Sequence, residues 1–122
     1  MIFSIGKSED ITECLIEVLS THRIDALLCL EETATLNAVQ LLKTLGKRIP
    51  EDVPVISFTN NDLQKFLTPA VTTVSQHAKK IGMRAATMLI KRLEKKHFGN
   101  HQTKVICTSL IERDSTRAFK SF

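Results

Sequence analysis

Tryptophan and tyrosine are absent from the 122 residues, and there are only four glycines and three cysteines. Without those two rings the chain lacks the side chains that stack best on unpaired bases. With so few glycines, tight anion-cradling loops are scarce. No GxxxxGK[ST] loop, GxGxxG turn or GxSxG elbow is present. The three cysteines, Cys14, Cys29 and Cys107, are odd in number and dispersed, which excludes a disulfide framework, and no CxxC or Cys/His cluster suggests zinc. They read as small buried hydrophobes in a reducing compartment. The four histidines are not at metal spacing, and no cofactor is expected. No apolar run approaches the ~20 residues of a membrane span, and Met1 to Asp10 has no basic patch followed by a long apolar core, so it is not a secretory signal. A cytoplasmic protein with no membrane partner is expected, and adjacent Glu31 and Glu32 are not placed to flank a scissile bond.

What is present is a balanced globular composition, 43% hydrophobic and 25% charged, with a net charge of +4. The densest basic stretch, Lys91 to His97, continues a helical stripe and reads as a solvated helix face; a DNA-contacting patch is the alternative. Ile2 to Ile5 suggests a short strand, and Asp10 with Glu13 has capping-box spacing ahead of a helix from about Glu9 to His22. Ala26 to Leu30 is a continuous apolar run, the signature of a strand covered on both faces. Glu31-Glu32-Thr33 comes next, then a helical pattern to Leu45, closed by Gly46 and forbidden from continuing by Pro50. Val53 to Phe58, Val71 to Ser75 and Lys104 to Ile111 read as strands. Leu63 to Leu67 reads as one helical turn, and His77 to about Phe98 as the longest helix. The tail from Arg113 to Phe122 is polar and expected to fray. This alternation predicts an α/β fold: a Rossmann-like, mostly parallel sheet flanked by helices.

In such sheets ligands sit beyond the carboxyl ends of the strands. Glu31 and Glu32 follow the second predicted strand, Phe58 ends the third and is followed by Thr59, Asn60 and Asn61, and Gln76 and His77 follow the fourth. Acids, amides and a hydroxyl on one rim suit a polar, polyhydroxylated small molecule. Each has a plainer reading: helix cap, turn, or solvated strand end. On a helical wheel Ala34, Ala38, Leu41, Leu42 and Leu45 share the face expected to pack on the sheet, while Leu36 and Val39 project from nearly the opposite side, as a partner surface would. Leu63, Phe66 and Leu67 form a second candidate patch.

The segments Asp25 to Leu30, Leu45-Gly-Lys-Arg-Ile-Pro-Glu-Asp-Val53, Val55 to Phe58, Leu67-Thr-Pro-Ala-Val-Thr-Thr-Val-Ser-Gln76, Gly82 to Ala86 and Leu110 to Thr116 resemble, in order and spacing, the C-terminal part of the LacI/GalR family of bacterial transcription regulators. The resemblance covers about three quarters of the chain. It implies a lobe of the periplasmic-binding-protein type and an effector-sensing, dimerising function without catalysis. By it, Glu31, Thr59 and Gln76 occupy effector-contacting positions for a sugar or sugar-like molecule. Leu36, Val39, Gln40 and Lys43, with Leu63, Phe66 and Leu67, lie at a homodimer interface. Asparagine is usual where Glu31 stands and aspartate where Thr59 stands.

By the same resemblance the whole chain, 1–122, is part of one effector-binding domain. It lacks the DNA-binding head, the N-terminal lobe and the start of its own lobe, and DNA contact would be made only through that missing head. The apolar stripe Ile81, Met88, Leu89 and Leu93, which in the family packs on the other lobe, is expected to find a substitute in a second copy or in the chain's own sheet. Its burial would contribute about 1.5–3 kcal/mol per side chain. A periplasmic sugar-binding protein, a flavodoxin-like enzyme and a dimerisation module with a vestigial pocket remain open as alternatives.

Overall fold

A computed structural model describes residues 11–59, 61–94 and 101–117. The expected strand Ile2 to Ile5, the site candidate Asn60, and the far end of the long helix lie outside the described residues. Within them the order is α1 (Ile11–Thr21), β1 (Leu27–Cys29), α2 (Glu32–Thr44), β2 (Val55–Ser57), α3 (Leu63–Phe66), β3 (Thr72–Ser75), α4 (Ala78–Leu93) and β4 (Ser109–Ile111), followed by a 3-10 turn at Asp114–Thr116. The sheet order is β1-β2-β3-β4, with β1, β2 and β3 parallel and β4 antiparallel to β3. The mostly parallel α/β sheet read from the sequence is therefore present.

The core forms where α2 lies on β1 and β2. Cys29, Ala38, Val39, Leu42, Val53, Val55 and Val71 make one buried cluster, with Leu15, Leu19 and Ile24 packed at its margin. α2 ends where Gly46 takes a left-handed φ of 69°. There Gly46 N–H donates to the Lys43 carbonyl and Lys47 N–H to that of Leu42, closing the helix as a Schellman motif. The following turn is locked by Arg48, whose guanidinium grips Asp52 through Nε (3.1 Å) and Nη2 (2.9 Å). That hydrogen-bonded pairing holds the Asp52 carboxyl down at about 2.

Several expectations are corrected. Val39 is 2% exposed, and Leu45 is exposed. The buried arc of α2 is Thr35, Ala38, Val39, Leu41 and Leu42, rotated from the wheel's axis because α1 packs against α2 as well as the sheet. Val39 is thus covered by its own chain and is not a surface for a second copy; Leu36 is half-buried, while Gln40 and Lys43 are exposed. β1 is covered on one face only: Cys29 is buried but Leu28 is 60% exposed. The last strand is shorter than Lys104 to Ile111, and Cys107 is exposed.

No residue of α4 is buried; Leu89 is 59% and Leu93 73% exposed. The helix departs from β3 through His77, held in the left-handed region at φ 54°, and its stripe does not fold back onto the chain's own sheet. The polar tail is not frayed over its first residues, since Ser115 is fully buried. Its hydroxyl donates to the Val55 carbonyl (2.6 Å) and accepts from Thr72 N–H (2.8 Å), tying the tail to the amino ends of β2 and β3.

The three thiols are expected to separate by reactivity. Burial pushes the Cys29 thiol up to about 11, whereas Cys14 is half-buried and Cys107 exposed. With an alkylating reagent at about pH 8, Cys107 labels first, Cys14 later, and Cys29 only as the domain opens. Peptide mass spectrometry over time checks this; Cys29 labelling as fast as Cys107 would contradict the packing of β1 under α2.

Candidate functional site

Parallel β1, β2 and β3 bring their carboxyl ends to one edge of the sheet. β1 and β2 are joined past their ends by Phe58 N–H donating to the Cys29 carbonyl (2.8 Å). Gln76, just beyond β3, reaches back and donates from Nε2 to the Phe58 carbonyl (2.7 Å). The Glu31 carbonyl at the start of α2 accepts from both Thr35 N–H (3.1 Å) and Thr35 Oγ1 (2.9 Å). Thr35 Oγ1 is 2.9 Å from Ser57 Oγ, which is 3.0 Å from Thr59 Oγ1. Thr59 is linked in this way to the Glu31 main-chain carbonyl, while Gln76 is bonded to the main chain of Phe58, the residue before Thr59. Glu32 joins through its carboxylate, which accepts from Asn61 Nδ2. Five of the six ligand candidates, Glu31, Glu32, Phe58, Thr59 and Gln76, thus stand at one edge of the sheet; the sixth, Asn60, lies outside the described residues.

Gln64 was not among the sequence candidates, yet it is fully buried. It donates from Nε2 to Ser57 Oγ (3.0 Å) and Thr59 Oγ1 (2.7 Å), while its Oε1 accepts from Asn61 N–H (3.3 Å). Along the chain it looks no different from its neighbour Lys65, which points outward and pairs with Asp62. Only the seating of this single turn against β2 separates them. The buried hydroxyl–amide network is fully satisfied: among the described residues no buried side-chain polar atom is left unpartnered. Such a network holds a site rigidly because each member fixes the next.

On the outer side of α3, Leu63 is exposed and Phe66 is 77% exposed, while Leu67 turns inward against the core. A hollow of about 940 Å³ lies elsewhere, between α4 and the segment 101–106, lined by Ile81, Arg84, Met88, Leu89, Lys104 and others. It touches none of the rim residues. On the rim, Glu31 and Gln76 are exposed and Glu32, Phe58 and Thr59 half-buried. Among the described residues no group of three or more His, Cys, Asp or Glu side chains is placed to hold a metal.

A half-covered, mostly parallel sheet with polar residues at its carboxyl edge is the architecture of an α/β lobe. Residues 4–116 match the family of periplasmic binding protein-like domains, and the chain belongs to that family. Over 93 residues it is 36% identical to the HTH-type transcriptional repressor CytR of Escherichia coli, covering 76% of this chain and 27% of that protein. Over 115 residues it is 30% identical to the ribose operon repressor of Halalkalibacterium halodurans, covering 94% of this chain and 34% of that one. The crystal structure of a LacI-type transcription regulator from Bifidobacterium animalis subsp. lactis superposes with a TM-score of 0.81 at 28% identity, over 93% of this chain and 40% of that one. The resemblance read from the motifs is borne out, and these relatives are regulators, not enzymes. The chain spans about a third of the length of the curated relatives it matches.

Proposed function

We propose that this chain is the effector-sensing part of a LacI-type transcription regulator, taking a small sugar-like molecule on the rim formed by Glu31, Glu32, Phe58, Thr59 and Gln76. The observation that carries the reading is the position of these residues at one edge of the sheet, with Thr59 hydrogen-bonded through Ser57 and Thr35 to the Glu31 main-chain carbonyl, Thr59 and Ser57 to buried Gln64, and Gln76 to the Phe58 main-chain carbonyl. A site built on rigid elements in this way favours one bound geometry. A LacI family regulator from Arthrobacter sharing this fold is solved in complex with lactose, which supports the class of ligand. The exposed Leu63 and Phe66, with Gln40 and Lys43, supply a face for a second copy. Effector preference for one arrangement of two lobes then changes DNA affinity through a coupling of about 1–3 kcal/mol, with DNA held by another segment of a longer cytoplasmic protein.

The test is a thermal-shift and calorimetry screen of sugars and nucleosides on the complete protein. At least one compound is expected to raise Tm, and Gln76→Ala to weaken it about tenfold, the loss of roughly one hydrogen bond and its orientation. A screen in which no compound shifts Tm overturns the reading.

A further inference from the structure

α3 is a single turn, Leu63–Phe66. A turn this short does not sustain itself, since a first helical turn fixes several dihedrals for one hydrogen bond. It is fastened from the inside instead, and to rim residues. Gln64, fully buried, donates from Nε2 to Thr59 Oγ1 (2.7 Å), accepts at Oε1 from Asn61 N–H (3.3 Å), and accepts at its carbonyl from Val71 N–H (3.0 Å). Asn61 makes the second tie. Its Oδ1 accepts from Leu63 N–H (2.7 Å), and its Nδ2 donates to the Glu32 carboxylate. Thr59 and Glu32 are half-buried, so each keeps part of its surface open while it holds α3.

The outer side of the same turn has the opposite character. Leu63 and Phe66 are exposed, beside the exposed pair Asp62 and Lys65. Two apolar side chains flanked by one acid and one base are self-complementary. In a contact between two copies related by a two-fold axis, the acid of one meets the base of the other. A second copy of this chain is therefore the occupant that this face fits.

We propose that Gln64 and Asn61 couple the rim to this face, so that an effector bound against Thr59 and Glu32 strengthens the contact between two copies. Such an effector fixes the groups to which α3 is fastened, and a turn already fixed loses less freedom when a second copy docks on it. Linkage makes the effect mutual: pairing of two copies strengthens effector binding by the same factor. Gln64 and Asn61 are positioning residues here, acting through Thr59 and Glu32. This rests on the effector reading above and adds the regulation of that site.

The experiment measures the dimer dissociation constant of the complete protein by sedimentation, alone and saturated with whichever of ribose, lactose, cellobiose or adenosine binds. Saturation is expected to lower that constant by about fivefold or more. Phe66→Ala, on the exposed outer side, weakens pairing. At concentrations where the parent is dimeric, it also weakens binding of the same compound by a similar factor. Gln64→Met, close in volume but without the amide, leaves pairing and binding independent of each other. An unchanged or looser dimer with compound bound overturns the proposal while the effector reading stands. So does a protein that stays monomeric throughout, or a Phe66→Ala variant that pairs as tightly as the parent. Coupling that survives in Gln64→Met overturns the role of Gln64; should that variant not fold, the parent and Phe66→Ala decide. Binding by none of the four compounds removes the effector reading and this proposal together.

Discussion

Leu42→Ala is expected to destabilise the domain by about 2–5 kcal/mol, enough to leave much of it unfolded. Leu42 is fully buried where α2 meets β1 and β2, within the cluster of Cys29, Val53, Val55 and Val71. The deletion removes the transfer free energy of the lost methyl and methylene groups and leaves a cavity. Relaxation around it is limited because α2 is held at one end by the Gly46 closure and at the other by Thr35 bonded to Glu31 and Ser57. The core is also small: β1 is packed on one face only and α4 contributes no buried residue. Urea denaturation followed by circular dichroism checks this. A midpoint unchanged from the parent would mean that α2 does not carry the core. Leu36→Ala, at a half-buried position on the flank of the same helix, is expected to cost markedly less.

The sequence carried the elements because each is set locally. Apolar runs of strand length, a glycine after a helical stripe and a proline beyond it determine β1, α2 and β2 regardless of what surrounds them. The stretch Leu45 to Val53 is a good case. It is specific as a family signature, and its reason is structural: Gly46 turns left-handed and Asp52 receives the Arg48 fork. The rim was legible for the same kind of reason, since parallel strands oblige residues after their carboxyl ends to share an edge.

Burial was less legible, because it depends on which neighbours exist. An apolar run such as Ala26 to Leu30 reads the same whether one face or two are covered, and here Leu28 is left open. A helical wheel sets α2 against a sheet alone, which turns Val39 outward, whereas α1 also packs on the helix and covers it. Gln64 and Ser115 are not legible in the sequence, because a buried polar side chain is recognised by its partners, and those partners, Thr59 and Val55, come from other elements.

Ser115→Ala is the second large effect expected, from one oxygen atom in a segment whose composition reads as loose. The Ser115 hydroxyl donates to the Val55 carbonyl and accepts from Thr72 N–H, and its own N–H donates to the Ala70 carbonyl. Alanine keeps the last bond and loses the first two, taking one hydrogen-bond partner from the buried Val55 carbonyl and one from the buried Thr72 N–H, which the β2–β3 pairing otherwise sets against each other. Each lost hydrogen bond contributes about 0.5–1.5 kcal/mol, so a loss of about 1–3 kcal/mol is expected. Neighbouring contacts should fall with it, since Arg113 Nη1 donates to the Val71 carbonyl (2.6 Å) and Arg113 N–H to Thr72 Oγ1 (2.9 Å). Yet the latch sits at the amino ends of β2 and β3, and the rim at their carboxyl ends. Denaturation and ligand affinity should therefore separate: stability falls while the dissociation constant of the folded protein is unchanged. A loss below about 0.5 kcal/mol, the ordinary range for a surface substitution, would mean that residues 113–117 fray after all. A fall in affinity alongside stability would mean instead that the strands transmit strain from one end of the sheet to the other.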